Sequence, residues 1–150
     1  MSDTIRQRIV TAFAARMEEI LTAGGFSTDL GESVYEWLEA PLQETDPITL
    51  IYRDGGHVTV REIGCHNHTL TMQVVLTIPA AATQETVRQA IADVIKAVGT
   101  DVNWSALAQD TSVGSDEEIE IEHEGRKIAG VSLKFAIEYT TAPFDPYTAA

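Results

Sequence analysis

The sequence predicts an α+β domain: an antiparallel or mixed sheet of four to six strands with two helices packed on one face, an acidic β-hairpin and an extended C-terminal tail. Two stretches repeat apolar residues at helical spacing, one near the N-terminus and one after residue 83, and the segments between and beyond them alternate apolar and polar residues as strands do. A chain of 150 residues hides about 68% of its surface when folded as one unit. Residues 1–140 are therefore expected to form a single domain, with 141–150 as the tail.

The first helix starts from Ser2 or Asp3 as N-cap and carries Ile5, Ile9, Ala12, Phe13, Met17, Ile20 and Leu21 on one face, with Gly24-Gly25 as its stop. Arg6, Arg8, Glu18 and Glu19 occupy the opposite side, so the helix lies on an apolar surface. Val34 to Leu38 reads as a short aromatic strand, and Ile48 to Tyr52 as a β-branched one. Arg53-Asp54-Gly55-Gly56 has turn chemistry, followed by a strand over Val58 to Ile63. After Gly64 a long strand is expected from about Asn67 to Ile78, with Leu70, Met72, Val74, Leu76 and Ile78 on its core face. Thr83 caps a second helix whose stripe is Val87, Ala90, Ile91, Val94, Ile95 and Val98, closed by Gly99.

Residues 100–117 read as a connector pinned by one helical turn around a buried Trp104, with the polar run Asp110 to Asp116 mobile. Ile119 and Ile121 then alternate with Glu118, Glu120 and Glu122 in one arm of a hairpin, and Lys127 to Thr140 forms the other. The return strand changes apolar parity across Ala129-Gly130, which predicts a β-bulge at Gly130. Pro143 and Pro146 flank Phe144, Asp145 and Tyr147, so the last ten residues cannot continue a central strand.

The net charge of −13 is concentrated. Residues 29–46 hold six carboxylates and residues 101–124 hold eight, neither segment containing a Lys or Arg, while the rest of the chain is nearly neutral. Such a surface repels phosphate, which excludes sequence-specific nucleic-acid binding and affinity for anionic membranes. No run approaches the roughly 18 apolar residues of a membrane span, and no signal-type core follows Met1. The single Cys65 cannot form an intrachain disulfide. These features lead to the expectation of a protein made and kept in a cytoplasm.

Catalytic signatures are missing from the residues: there is no nucleophile elbow, glycine-rich phosphate loop or dinucleotide fingerprint. His66 and His68, two apart in a strand, point to one face as a metal-gripping pair must, with His57, His123 or Cys65 as a possible third ligand. The alternative for that pair is two polar residues at the mouth of a core strand. Cys65 beside His66 is a weak nucleophile pair because strand neighbours face opposite ways. Glu118, Glu120 and Glu122 imitate paired carboxylates, but regular alternation with isoleucine is how a solvated strand face looks. Tyr35, Trp37 and Tyr52 suggest a stacking platform or, alternatively, ordinary core. The residues point to neither an enzyme nor a cofactor, and the exposed aromatics and edges suit a subunit that assembles.

In order and texture, nearly the whole chain resembles the tail-terminator family of phage minor tail proteins, of the lambda type. The residues that carry the likeness are the opening helix with Gly24-Gly25, Tyr35-Glu36-Trp37-Leu38-Glu39-Ala40-Pro41-Leu42, the Ile48-to-Tyr52 strand with Arg53-Asp54-Gly55, and Gly64-Cys65-His66-Asn67-His68-Thr69-Leu70. Ala92-Asp93-Val94-Ile95 with Gly99, the Trp104 connector, Phe135-Ala136-Ile137-Glu138-Tyr139-Thr140 and Phe144-Asp145-Pro146-Tyr147-Thr148 complete it. The resemblance implies a structural virion protein without cofactor or catalytic residues, assembled in the bacterial host cytoplasm. It implies a hexameric ring of copies that caps the tail tube, ends its polymerisation and offers a surface to the head-completion or connector protein. Tyr35, Trp37, Phe144, Pro146 and Tyr147 are the candidate contacts with a neighbouring subunit or the tail-tube protein. Glu118, Glu120 and Glu122 are the candidate acidic row facing a lumen or solvent, past which DNA slides without sticking. A neck or head-tail connector protein is the nearest alternative, and a small metal- or ligand-binding domain using His66 and His68 a further one. A third possibility is an acidic mimic of nucleic acid.

Overall fold

The computed structural model describes residues 3–37, 47–123 and 126–150, without the side chains of 123, 126 and 127. Two helices lie on one face of a six-stranded mixed sheet, as the sequence predicts. Helix α1 spans Ile5–Glu18 and α2 spans Gln84–Gly99. The strands are β1 (Val34–Glu36), β2 (Thr49–Glu62), β3 (Cys65–Ile78), β4 (Asp110–His123), β5 (Arg126–Ala142) and β6 (Asp145–Ala149). Their order across the sheet is β1-β2-β3-β5-β4, with β6 paired to the end of β5. Among the described residues only the β1–β2 pair is parallel.

Alternation along the strands gives the sheet two unlike faces. Leu50 and Tyr52 of β2, Leu70 to Leu76 of β3 and Val131 to Tyr139 of β5 lie in register on the helix face. There they meet Ile5, Ile9, Phe13 and Met17 of α1 and Val87, Ala90, Val94 and Val98 of α2 in one core. Phe13 is its centre, with ring centroids 5.4 Å from Trp104 and 6.3 Å from both Tyr52 and Phe135. The opposite face is more polar. Across it Trp37, Arg53, Gln73 and Ser132 form a chain: the Arg53 guanidinium lies 5.1 Å from the Trp37 ring, Arg53 Nε donates to Gln73 Oε1, and Gln73 Nε2 donates to Ser132 Oγ.

Several local expectations need correction. The α1 N-cap is Thr4, whose hydroxyl accepts from the Gln7 amide at 3.0 Å; Ser2 lies outside the described residues. The helix ends at Glu18, well before Gly24-Gly25. The Asp29 carboxylate accepts from both the amide and the hydroxyl of Thr22, and the Gly31 amide donates to Ile20 O, which draws the chain off the helix axis while Ile20 stays buried. The short aromatic strand stops at Glu36, and Leu38 lies outside the described residues.

Arg53-Asp54-Gly55-Gly56 is not a turn but the middle of β2. The register with β3 slips between Asp54 and Gly56, so the glycines accommodate a β-bulge in one long strand. The hairpin turn falls instead at Ile63-Gly64, where Gly64 has φ +80°, a conformation open to glycine at little cost. The long strand accordingly starts two residues earlier than expected, at Cys65.

Trp104 is fully buried, as expected. The turn around it is left-handed rather than helical, with φ of 52°, 56° and 67° at Trp104, Ser105 and Ala106. It is held by Asp101, whose carboxylate accepts from the amides of Asn103 and Ser105. Asp110 to Asp116, expected to be mobile, are the first half of β4. There is no bulge at Gly130, which stays in register with Thr77 and Ile119; the irregularity is across the strand, between Val113 and Asp116 of β4. The parity change arises because Ile128 belongs to the outer face, paired with Ile121. A Cβ at position 130 would lie 3.2 Å from Ile119 Cγ1, Ile121 Cδ1 and Leu76 O, so a side chain has no room there. In α2, Ile95 is exposed, and the stripe includes a buried Asp93 instead. The C-terminal tail is extended, as expected, and after a turn at Pro143-Phe144 its strand β6 folds back on β5 and touches α1.

Candidate functional site

Three histidines converge on the helix face where β2, β3 and β5 run past the start of α1. The H-x-H spacing puts His66 and His68 on one face of β3, as predicted. His57 of β2 pairs with Leu70, and Tyr139 of β5 pairs with His68, so all four rings share that face. The His68 and Tyr139 rings stack at 4.6 Å, and His57 lies 5.0 Å from His68. His57 Nε2 is 2.7 Å from the Tyr139 hydroxyl, while His68 has Thr59 Oγ1 at Nδ1 and Thr141 Oγ1 at Nε2, 3.0 and 2.8 Å away. Hydroxyls donate or accept, so a neutral His68 is satisfied at both nitrogens. His66 differs: it is buried, and its Nε2 has no hydrogen-bond partner.

The electrostatics favour neutral rings at His57 and His68. Burial lowers the pKa of His57 below its ordinary 6.5, the Arg6 charge lowers it further, and Asp54 opposes. Burial also lowers that of His68, and charge on His57 or His66 would add to the effect. Burial likewise raises the Tyr139 phenol above its usual 10. Arg6 Nε donates to Asp54 Oδ2 at 2.7 Å, so the nearest carboxylate is already paired. The two histidines of the H-x-H pair do not gather further ligands: among the described residues no three His, Cys, Asp or Glu are placed to hold a metal ion. Cys65 makes only a long 3.9 Å contact with Asn67 Oδ1.

At the other end of the sheet lies the acidic row. Glu118, Glu120 and Glu122 pair with Val131, Ala129 and Lys127 of β5, which puts them on the helix face, exposed beyond the reach of the core. Glu118 and Glu120 border a hollow of about 460 Å³ whose far wall is Gln84 and Val87 of α2. β4 is a sheet edge, and its carboxylates are a known defence against unwanted strand pairing.

The predicted contact residues fall into two groups. Tyr35 is half-buried and lies on the outer sheet face in register with Ile51, and Trp37 follows it, 51% exposed under Arg53. Phe144, Pro146 and Tyr147 sit at the opposite end from the acidic row. Phe144 is 83% exposed at φ 56° and meets the His66 ring edge-on at 4.8 Å. Tyr147 is ordered by Asp145, whose carboxylate accepts from the Tyr147 amide; bonds to Thr148 and Tyr147 hold the Asp145 carboxyl below its usual range. Val58, Val60 and Ile63 of the β2–β3 hairpin are exposed at this end as well. Sequence reasoning offered His57 as one of three possible additions to the His66 and His68 pair and missed Tyr139, which lies 82 residues from His57 and meets it through the β2-β3-β5 register. No protein-family model and no curated protein sequence matches the chain.

Proposed function

We propose that this chain is a phage tail-terminator subunit that assembles with copies of itself into a ring, hexameric in the manner of that family, on the end of the tail tube. The reading joins the whole-chain resemblance in sequence to one structural observation: the exposed surface is divided lengthwise. One end of the sheet presents Val58, Val60, Ile63, Phe144 and Tyr147; the other presents the carboxylates of β4. Exposed aromatic and β-branched residues are what protein partners bury, and the apolar end is where the neighbouring subunit and the tail-tube protein dock. The acidic β4 row repels DNA phosphates and lets the genome pass a ring without adhering. The head-completion or connector protein takes the surface left open, and the virion tail is the place of work.

Binding of the purified chain to isolated tail tubes and to isolated DNA-filled heads tests this reading. Saturable binding at tube ends supports it. Binding to heads alone replaces it with a neck or connector role, and binding to neither overturns both.

A further inference from the structure

We infer that the β6 arm is exchanged between copies of this chain, the arm of one copy lying on β5 of the next in the seat that its own arm fills in the isolated chain. β6 is joined to β5 by a turn of two residues, Pro143-Phe144, since Ala142 and Asp145 already pair. Hairpin turns of that length match the twist of their strands when the first central residue has a positive φ. Proline holds φ at about −65°, so position 143 cannot adopt it. The left-handed step falls instead on Phe144, at φ 56°, where an L-side chain is strained and glycine is not. Packing does little to hold that strain in place: Phe144 is 83% exposed, and its ring meets His66 only edge-on. A short hinge under strain invites exchange, because an arm that runs straight on to a neighbour makes the same contacts and sheds the strain.

The arm is a unit that transfers whole. Its ladder to β5 is brief and irregular, with Thr141 opposite Ala149, Ala142 opposite Asp145 and a register shift between them. Pro146 has no N–H to give to that ladder. The Asp145 carboxylate accepts from the Tyr147 amide inside the arm, so that bond travels with it. The seat left behind consists of β5 and α1, and the same elements of a second copy receive the arm unchanged. Opening the turn also sets Phe144 between the two copies, at the end where Val58, Val60 and Ile63 are exposed, which gives the exchanged pair an apolar contact that the isolated chain lacks. Passed in one direction, arms link copies head to tail and close a ring. The inference deepens the assembly reading and rests on it for the ring; its test uses the chain alone, so failure of exchange and failure of tube binding are separate results.

The test mixes two single-cysteine variants, Thr141→Cys and Ala149→Cys, each made in a Cys65→Ser background. Neither copy holds two thiols, so a 141–149 disulfide joins two chains. Thr141 is 2% exposed and lies opposite Ala149 of its own arm, and directly opposed strand residues are within disulfide reach. Position 149 of another copy meets it only by taking the seat of the native arm. The mixture is held at high concentration to equilibrium, oxidised and digested, and the linked peptides are compared by mass spectrometry. The 141–149 linkage is expected to exceed the 149–149 linkage at least tenfold; a yield no greater than the 149–149 one overturns the exchange. Inserting two glycines after Pro143 relaxes the turn while keeping Phe144 and Tyr147, and is expected to lower the 141–149 linkage at least fivefold. An undiminished yield overturns exchange through a strained hinge. If a cysteine variant does not fold, sedimentation of the unaltered chain and of the glycine insertion takes its place: association weakened at least fivefold by the insertion supports exchange, and equal association, or none in either, overturns it.

Discussion

Replacing Trp104 with alanine should cost about 5 kcal/mol of folding stability, at the upper end of the range for buried tryptophan. The side chain is fully buried against Phe13, with the Arg16 guanidinium 3.7 Å from the ring centroid. Truncation opens a cavity beneath α1, at about 3–5 kcal/mol, and removes the cation–ring contact, worth about 1 kcal/mol at a partly desolvated site. The lost hydrogen bond adds little. Trp104 Nε1 donates to Thr111 Oγ1, but that hydroxyl itself donates to Val102 O, so its donor stays satisfied. Arg16 keeps its bonds to the carbonyls of Val98 and Asp101. Trp104→Phe preserves the ring contact with Phe13 and should lose only about 1–2 kcal/mol, the scale of an imperfectly filled core site. Urea titration with a common m-value reads both differences. A Trp104→Ala loss below about 1 kcal/mol would mean that the connector is not anchored through this ring.

Other substitutions test other parts of the account. Ala106→Gly, at an exposed position with φ 67°, should raise stability by about 0.5–1 kcal/mol because the strain of a left-handed alanine outweighs the entropy glycine adds to the unfolded chain; a loss would contradict the left-handed turn. Asp93→Ala should cost about 2 kcal/mol in denaturant titration, since its carboxylate accepts from the amides of Ser27 and Thr28 and from the Thr28 hydroxyl, and charged acceptors contribute more than neutral ones; no change would show that the 26–28 loop is held otherwise. The lowered pKa values of His57 and His68 mean that the unfolded state takes up protons first, so their contribution to stability is complete above about pH 6.5 and is lost as pH falls through the folded values. Comparing wild type with a His57→Gln/His68→Gln double variant at pH 7.5 and 5.5 should therefore show a larger acid-induced loss in wild type, and an equal loss would refute the assignment. Phe144→Ser with Tyr147→Ser should change monomer stability at pH 7.5 by no more than about 0.5 kcal/mol, as exposed sites do, yet weaken self-association or tube binding at least tenfold; sedimentation showing unaltered assembly would remove the apolar end from the interface.

The features readable from sequence were those carried by local periodicity. The alternation of Leu70, Met72, Val74 and Leu76, the α2 stripe from its Thr83 cap, and the lone aromatic in an otherwise polar connector each specify their own burial. What escaped depends on partners distant in sequence. Arg53-Asp54-Gly55-Gly56 carries the residues of a turn, but glycines serve a bulge equally well, and the fourteen-residue β3 pairs along the whole of β2. Asp110 to Asp116 is too polar to announce a strand; it becomes one because β5 offers an open edge. Asp93 breaks the apolar stripe of α2, a signal that could have been read as a buried anchor had its acceptors' partners, Ser27 and Thr28, been known. Of the candidate site, the shared face of His66 and His68 was legible and His57 was one of three possible additions to it, but the sheet register is what selects His57 and brings in Tyr139.

The central proposal is assembly on a tail tube, and electron microscopy of polymerised phage tail tubes, made from a tail-tube protein encoded beside this chain, tests it most directly. With the chain added, closed rings of its copies are expected at tube ends, and growth should stop there. Tubes that keep growing with bare ends, together with a chain that stays monomeric at high concentration, would contradict the account.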